Sequence, residues 1–571
     1  MSSVYTFEML PDEMILKMCS YLRGSDVLYA FLNLRARLNL TITSYCRYVN
    51  LMAVPHHQFD YVVSQILPLI GSSIRSFVIN GNWEIIISQK AFTLLFTSFI
   101  SNIFPQIEKL TLKCFTGKRL FTFLDNLTDL SQLVELDIRF LREDVDDTLM
   151  RKIFASNNRR LRLVSFDNDS IALNLSEDNH KNISFPNIQE LKINLESIQI
   201  LLCLFTLLPN LHRLHVCVEK SSHEEDGRKL FADLSPLIYL TDFQLRFADF
   251  VGMFDTIVNI LNQVPFLETL TFDLWTNDER LVNGSNLIPI LPSSLKQFHF
   301  LIRYYCSESN CRIDHLLKSW PNHMRVSYSL NEDDSCLLFY TMPCCLRSTI
   351  ISAKISKHVV SSWTYMEYVE DLQISDVTCL NDIIPIVKHL HRLHTLAVDA
   401  KNQPENATSL TQSIRLRLPW LKTLEVHGIC ELFHLLQAAP NLEYLIVEHN
   451  SIKHLLEDEP TCSLLQKQIV RLEIFRVEAI DTEQLKRIAL VFNKIIEFIL
   501  NIENSRTFID SIITAALLLW KNKELFSLHI GGLMSAEATE NLQEWMVHHS
   551  DLTREHSFAI AYQKNWFSLW W

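Results

Sequence analysis

Histidine and cysteine, the side chains that most often bind metal ions in proteins, are frequent in this chain, which has 21 histidines and 13 cysteines in 571 residues. The histidines cluster at two places: His389, His391 and His394, and His212 with His215. A metal site needs ligands that converge on one point. The odd spacing of His212 and His215 turns them to opposite faces of a strand. His394 lies on a strand-like phrase, whereas His389 and His391 precede it, so we expect no metal at either cluster.

The cysteines do not form a disulfide or zinc framework. Their number is odd, and several lie inside apolar runs: Cys203, Cys217 and Cys379. Cys306 and Cys311 lack zinc-finger spacing, and the adjacent pair Cys344 and Cys345 is poorly placed to bind one metal. The sequence therefore predicts free thiols in a reducing compartment.

Motifs that would indicate catalysis are missing. The sequence contains neither a Gly-x-Ser-x-Gly elbow nor a glycine-rich phosphate loop, and it has only 10 glycines. The carboxylates Glu224, Glu225 and Asp226 lie in the polar stretch SSHEEDGRK, which is typical of a solvated turn. We expect no catalytic residue and no cofactor, and therefore no enzyme.

Charge and hydropathy narrow the classes of partner. The net charge of −13, from 52 basic and 65 acidic residues, disfavours a nucleic-acid-binding protein. The longest apolar stretches, at Ile200 and Ala515, are much shorter than the about 20 residues of a membrane helix. The N-terminus lacks the basic and apolar regions of a secretory signal. These features predict a cytoplasmic or nuclear protein that binds neither membrane nor nucleic acid.

The segment from Phe7 to Asn39 predicts two or three short helices with two apolar faces. Pro11 suits a first helical position, Gly24 a helix end and Ser25 the next N-cap. One apolar face contains Ile15, Met18, Cys19 and Leu22, and another contains Leu10, Leu16 and Tyr21. About 45 residues cannot bury both faces alone. The second face either packs on the following domain or awaits a partner.

The same residues resemble the F-box, in which Leu-Pro-x-Glu is followed by a fixed pattern of hydrophobic positions. The matching residues are Leu10, Pro11, Glu13, Met14, Ile15, Leu16, Met18, Tyr21, Leu22 and Asp26. The resemblance implies docking onto the Skp-type adaptor of a cullin ubiquitin ligase. It implies contacts at Leu10, Pro11, Ile15, Leu16, Tyr21, Leu22 and Leu28. The tryptophan usual in the family's third helix is missing from the sequence FLNLRARLNL.

From Ile74 onward, a short apolar phrase recurs, apart from one long gap, at intervals of roughly 21 to 33 residues, close to the leucine-rich-repeat range. Examples are PNIQELKI at Pro186, PNLHRLHV at Pro209, PFLETLTF at Pro265 and PNLEYLIV at Pro440. Leu-x-Leu places both leucines on one face of a strand. The run from Glu196 to Asn210 has helical spacing, and a helix-sized connection is what parallel strands require.

We therefore predict an α/β fold, in which a short helical F-box precedes a leucine-rich-repeat solenoid with a parallel concave sheet and helices on the convex side. A paired-helix solenoid is the rival fold. The predicted organisation is an F-box at residues 3–50, solenoid parts at 51–325 and 371–550, an irregular repeat or insertion at 326–370, and an aromatic cap at 551–571. Alternation around Phe558 to Trp571 predicts that the cap is a β-hairpin covering the open edge of the sheet.

Polar residues between the strand leucines should line the concave face, where repeat proteins offer an extended binding surface. The candidates for binding a target protein are Lys192, Arg213, Arg246, Asp273, His299, Glu425 and His427. The sequence thus favours a non-catalytic adaptor that docks a Skp-type subunit and presents a target protein for ubiquitination. The alternative is a free-standing leucine-rich-repeat binding or inhibitor protein with a vestigial F-box, which the missing tryptophan favours.

Overall fold

The structure is a computed structural model, and two compact units account for the chain. One unit comprises residues 1–275 and 288–298, and the other comprises 276–287 and 299–571. The described residues are 10–32, 36–52, 54–83, 87–97, 100–142, 148–175, 184–220, 235–305, 313–331, 336–342, 346–353, 368–400, 416–503, 508–521, 525–550, 558–563 and 565–571.

The first unit contains a parallel sheet whose strands lie side by side in sequence order. The strands are β1 (Tyr48–Asn50), β2 (Ser76–Asn80), β3 (Lys109–Lys113), β4 (Glu135–Arg139), β5 (Leu163–Phe166), β6 (Glu190–Ser197), β7 (Arg213–Lys220), β8 (Asp242–Val251) and β9 (Thr269–Thr276). Equivalent positions of the phrase pair across neighbours, as Leu191 does with Leu214 and Leu214 with Phe243. These side chains are buried, so the repeated leucines form one continuous core face.

Helices and short helical turns precede or connect these strands. The α-helices are α1 (Asp12–Cys19), α2 (Gly24–Phe31), α3 (Ala36–Tyr45), α4 (His56–Tyr61), α5 (Leu67–Ile70), α6 (Gln89–Phe96), α7 (Ile100–Ile103), α8 (Gly117–Phe123), α9 (Leu149–Arg159), α10 (Ile198–Leu207) and α11 (Phe254–Asn262). A π-helical segment, Val62–Ile66, joins α4 to α5. The helix predicted after Glu196 is confirmed as α10, with Ile198, Leu201 and Phe205 buried.

Hydrogen bonds at the start of each strand repeat with the sequence period. The backbone N–H groups of His212 and Arg213 both donate to the Gln189 carbonyl, at 2.8 and 3.1 Å. The Pro-Asn dipeptide adds a side-chain bond, because Asn210 Nδ2 donates to the Pro186 carbonyl one repeat earlier, at 2.9 Å. Asn441 makes the same bond to Pro419 in the second unit, at 2.8 Å. These asparagines satisfy turn carbonyls that would otherwise lack partners.

The second unit begins with an antiparallel group of three strands. They are β10 (Gln297–Tyr305), β11 (Val326–Asn331) and β12 (Cys336–Thr341), and β12 pairs with both of the others. Leu338 and Tyr340 belong to the buried cluster that continues through the following sheet. Buried Arg303 donates to the Ile350 carbonyl of that sheet at 2.6 Å. Within 326–370 the structure thus describes a hairpin and then the first strand of a new parallel sheet.

The second sheet is parallel until its last strands. Its members are β13 (Ser348–Ser352), β14 (Asp371–Val377), β15 (Thr395–Ala400), β16 (Thr423–His427), β17 (Tyr444–Glu448), β18 (Arg471–Val477), β19 (Glu497–Ile502), β20 (Ser527–Gly531), β21 (Ala559–Gln563) and β22 (Trp566–Trp570). β22 pairs antiparallel with both β20 and β21. Phe567 and Leu569 are fully buried there. The strands form the predicted antiparallel pair, while its protective role at the sheet edge stays a prediction.

The second unit also contains α-helices, and those from Leu380 onward bury side chains in the same core as the second sheet. They are α12 (Gly284–Leu287), α13 (Ile313–Lys318), α14 (Leu380–Val387), α15 (Phe433–Ala438), α16 (His449–Leu455), α17 (Glu459–Gln468), α18 (Thr482–Val491), α19 (Asp510–Trp520), α20 (Ala536–Glu540) and α21 (Leu542–His549). Trp520 of α19 is buried against Phe498 of β19, with ring centroids 4.9 Å apart. Its indole N–H donates to the Phe492 carbonyl at 3.3 Å, so a large side chain is buried without losing its hydrogen bond.

The strand register confirms the mixed α/β class and the large parallel sheets of the leucine-rich-repeat kind, and it excludes the paired-helix solenoid. Local details differ from the expectation near the N-terminus. Pro11 is the N-cap rather than the first helical residue. Gly24 begins α2 instead of ending the preceding helix, and Ser25 is buried inside α2 rather than capping it. Arg23 precedes the helix, and its side chain bonds to Asp26 at 3.0 Å.

Candidate protein-binding surfaces

The predicted target-binding residues lie on the polar faces of the two sheets, between the buried leucines. Lys192, Arg213, Arg246 and Asp273 belong to β6 through β9, His299 to β10, and Glu425 and His427 to β16. Alternation along each strand explains this placement, because neighbouring side chains point to opposite faces. The two sheets carry separate sets of these residues.

Arg213 on the first sheet lies between two carboxylates. It contacts Glu190 at 3.0 Å and Asp242 at 2.9 Å, and these residues are its register partners on β6 and β8. The hydrogen bond to Asp242 raises the pKa of the Arg213 guanidinium. Burial alone would raise the pKa of Asp242, but its contacts with His215 and Arg213 outweigh this and lower it. The positive charge of Arg213, one of the predicted target-binding residues, is therefore already paired with carboxylates of the same chain.

Two more carboxylates on this face are buried and paired. Asp273, with only 1% of its surface exposed, lies 3.5 Å from Arg246. Asp137 accepts hydrogen bonds from Arg139 at 2.8 Å and Ser165 at 2.9 Å. Burying a polar group is costly unless it has such partners. Lys192 is exposed on the same face.

On the second sheet, His427 contacts both a carboxylate and an aromatic ring. Its Nε2 lies 2.8 Å from Glu425 Oε1, and its ring centroid is 4.9 Å from that of Phe475. The hydrogen bond to Glu425 raises the pKa of His427 and outweighs the opposing effect of burial. The predicted pair Glu425 and His427 is thus brought together, two residues apart on one strand.

A second polar group on this sheet was missed by the sequence analysis. The Tyr444 hydroxyl donates to Glu473, and Arg471 contacts Glu497 at 2.9 Å. The Arg471 guanidinium also lies 5.9 Å from the centre of the Tyr444 ring. Burial, followed by the negative charge of Glu473, raises the pKa of Tyr444. Tyr444, Arg471 and Glu497 are the first residues of their strands and Glu473 is the third of its strand. The period of two predicts that these positions face outward.

Apolar side chains also occupy the outward positions of the second sheet. Ile446 lies between Glu425 and Glu473 in the strand register, and Ile499 follows on the next strand. Phe475 pairs with Glu448 in the same register. All three apolar side chains are half-buried, although they point away from the core. Equivalent outward positions of the first sheet are Thr111, Asp137, Ser165, Lys192, His215, Gln244 and Thr271.

The N-terminal helices present a third surface. Arg37 of α3 contacts Asp12 at 2.6 Å and donates to the Leu10 carbonyl at 2.6 Å, which holds the third helix against the start of the first. Ile15 and Cys19 of α1 are completely buried, and burial raises the pKa of the Cys19 thiol. The opposite side of α1 and the residues after it are open. The large apolar side chains exposed there are Met14 (52%), Met18 (45%), Tyr21 (77%) and Leu22 (44%).

The residues expected to contact a Skp-type adaptor divide between interior and surface. Pro11, Tyr21 and Leu22 are exposed, and Leu10 and Leu16 are partly buried. Ile15 and Leu28 are both fully buried within the chain. They therefore support the helices and offer no surface in this conformation. Met14 and Met18, which match the motif but were not among the expected contacts, are exposed instead.

Comparison with known proteins adds no identification. No protein-family model matches the sequence, and no curated protein matches it. A solved leucine-rich-repeat protein of Leptospira interrogans covers 85% of this chain and 96% of its own, at 14% sequence identity and a TM-score of 0.23. A similarity this low carries no argument about the fold, which rests on the strand register above.

Membrane-spanning helices and metal-binding clusters are both absent from the described part of the chain. Among the described residues, no helix is both long and apolar enough to cross a membrane. Within those same ranges, no three His, Cys, Asp or Glu side chains are grouped so that they could hold a metal ion. Several candidates from the sequence lie outside the described residues: Glu224, Glu225, Asp226, Cys306, Cys311, Cys344 and Cys345.

Proposed function

We propose that this chain is a substrate-recognition adaptor of a Skp-cullin-F-box ubiquitin ligase. The N-terminal helices dock onto the Skp-type adaptor, and through it a cullin, while the outward faces of the parallel sheets bind a target protein. Such an adaptor performs no bond chemistry, because holding a target lysine near an enzyme supplied by another subunit is itself the catalytic contribution.

One observation carries the docking half of the proposal. After α1 has buried Ile15 and Cys19, it still exposes Met14 and Met18, and Tyr21 follows with 77% of its surface exposed. Contiguous exposed apolar side chains mark interaction surfaces more often than isolated ones do. The exposed residues coincide with the part of the sequence that resembles the F-box, so the motif and the surface support the same partner.

The target-binding half rests on the repeats. Parallel strands in sequence order give each sheet an extended face of outward side chains, which suits recognition of another protein. The face of the second sheet mixes aromatic, apolar and charged residues, as protein-binding surfaces do.

A pull-down with a purified Skp-type adaptor tests the docking. Full-length chain should retain the adaptor, whereas a Met18→Glu/Tyr21→Ser variant should lose it, because both side chains are exposed and neither supports the core. Leu10→Ala and Pro11→Ala should each cost about 1–3 kcal/mol of binding if they are interface anchors. Leu490→Ser is the matched control, since Leu490 is equally exposed, at 72%, on a helix of the second unit.

Failure of the folded wild-type chain to bind any Skp-type adaptor would refute the ligase proposal. The second candidate, a free-standing binding or inhibitor protein with a vestigial F-box, would then lead. The complete burial of Ile15 and Leu28 favours that candidate, because these expected contacts are used inside the chain.

A further inference from the structure

The outward face of the second sheet combines apolar side chains with an excess of carboxylates. Outward-facing positions of β14 through β19 carry Asp371, Asp399, Glu425, Glu448, Glu473 and Glu497. The guanidinium groups beside them belong to Arg471, 2.9 Å from Glu497, and to Arg476, 4.0 Å from Glu448. Even with a protonated His427, acidic groups outnumber basic ones here. A ligand that carries positive charge would be attracted to this face.

Apolar side chains lie among these carboxylates. Ile446 and Ile499 occupy one outward row, and Phe475 occupies the next. Each is half-buried, so a partner that covers it removes further apolar surface from water. A partner segment should therefore contain both cationic and apolar residues.

A small cavity lies at the carboxyl end of the same face. It has a volume of about 130 Å³ and is lined by Asn501, Glu503, Gly531, Asn565 and Trp566, among others. Asn501, Gly531 and Trp566 are register neighbours on β19, β20 and β22.

The lining of this cavity suits an organic cation. The lining includes the acidic residue Glu503, two asparagines and the aromatic residue Trp566, which are residue types suited to binding a cation. Glycine keeps the space open, because a Cβ at Gly531 would lie 2.9 Å from Asn501 Oδ1 and 3.2 Å from the Trp566 ring. One water molecule needs about 10–15 Å³ of such space, so the cavity admits the end of a lysine or arginine side chain.

We propose that the outward face of the second sheet binds a basic, partly apolar peptide segment of the target protein, with one lysine or arginine side chain entering the cavity between Asn501 and Trp566. The apolar residues of the segment cover Ile446 and Phe475, and its other cations face the carboxylates. This inference rests on the proposed protein-binding function and specifies the chemistry of the partner. Strands lie about 4.8 Å apart, so a segment of about eight extended residues crosses the face from β15 to the cavity beside β20.

Selection from a random peptide library against the full-length chain tests the inference. Peptides about twelve residues long are sufficient to span the face. The enriched peptides should carry lysine or arginine together with aliphatic or aromatic residues. Their affinity is then measured by fluorescence polarisation, beside counterparts in which every lysine and arginine is replaced by glutamate.

Three variants locate the binding. Glu503→Gln should weaken the selected peptides about fivefold, a change typical of losing one charged contact. Ile446→Ser should weaken them as well, and Gly531→Ala should do so by narrowing the cavity. Because a side chain at Gly531 could disturb the strand, the exposed Glu503 provides the decisive variant. Glu196→Gln is the matched control, since it removes one exposed carboxylate from the first sheet.

The inference is overturned if no peptide is enriched, if neutral or acidic peptides are selected, or if Glu503→Gln and Ile446→Ser bind as the wild type does. The adaptor pull-down on the same preparation separates the two proposals. If the chain retains the Skp-type adaptor but the selected peptides show no preference for lysine or arginine, only the proposed peptide chemistry is refuted. Loss of adaptor binding with the charge preference intact would refute only the ligase role.

Discussion

The two parallel sheets share an interior design but differ on their outward faces. In the first sheet, outward charges are balanced and paired across strands, as Arg213 is with Glu190 and Asp242. In the second, carboxylates are in excess, and Ile446, Phe475 and Ile499 are interleaved with them. The first face therefore has little net charge, whereas the second keeps a net negative charge and half-buried apolar side chains, although Glu425, Glu473 and Glu497 have partners within the chain.

The same pattern of buried leucines can therefore support two surfaces with different uses. Core positions are constrained by close packing, and they are buried in both sheets. Outward positions are constrained only by solvation and by whatever binds there. The contrast between the sheets leads to four measurable expectations.

The largest expected effect concerns the end of the second sheet. Deleting residues 556–571 removes buried Phe567 and Leu569, each of which stabilises by about 1.5–3 kcal/mol, and uncovers the β20 edge. We expect aggregation, measured by light scattering during size-exclusion chromatography. Removal of Trp571 alone, which lies beyond the last strand, is the control. A soluble and stable deletion variant would show that the hairpin does not protect the sheet.

Equivalent core substitutions should affect both sheets alike. Leu136 of β4 and Leu424 of β16 are both fully buried at the same position of the strand phrase. Replacing either with alanine should cost about 2–5 kcal/mol. Hydrogen exchange with mass spectrometry would locate the loss of protection in the mutated sheet. Unequal protection losses would contradict the shared interior design.

Removing an outward arginine should have a smaller effect, and one that differs between the sheets. Arg213→Gln should change stability by less than about 0.5 kcal/mol, because its ion pairs are exposed. Arg471→Gln should cost about 1 kcal/mol, since the arginine also packs over the Tyr444 ring. Urea denaturation at low and high salt measures both, and equal losses would remove this distinction between the faces.

The smallest effect is a pH dependence within the second face. The hydrogen bond to Glu425 raises the pKa of His427, whereas burial lowers that of His529. The stability from His427 is fully present below its unfolded pKa and is lost as the pH rises through its folded pKa. For His529, whose folded pKa is lowered, the stability is present above the unfolded pKa. It is lost as the pH falls from the unfolded pKa towards the folded pKa.

Proton NMR titration of the two imidazole rings checks these directions. Glu425→Gln should lower the pKa of His427 and leave that of His529 unchanged, which makes His529 the internal control. A His427 pKa at or below that of free histidine in the wild-type chain would contradict the assigned contact.

The sequence by itself determined the class of fold, because a periodic pattern of apolar residues can be buried by few arrangements of strands and helices. Leu-x-Leu phrases separated by helix-sized connections can bury their leucines only by stacking in parallel, and the strand register from β2 to β9 follows those phrases. The helix after Glu196 was equally predictable, since its apolar residues recur at a helical spacing. The outward position of Glu425 and His427 followed from the period of two alone.

Only the tertiary structure decided which outward groups find partners and which apolar face of the N-terminal helices stays open. Ile15 and Met18 were assigned to one stripe, yet the first is buried and the second exposed, because burial depends on where α3 packs. The pairing of Tyr444 with Glu473 and the cavity beside Trp566 join residues from separate strands. Local periodicity sets the direction of a side chain, but contacts across strands depend on register, which the whole stack of repeats fixes together.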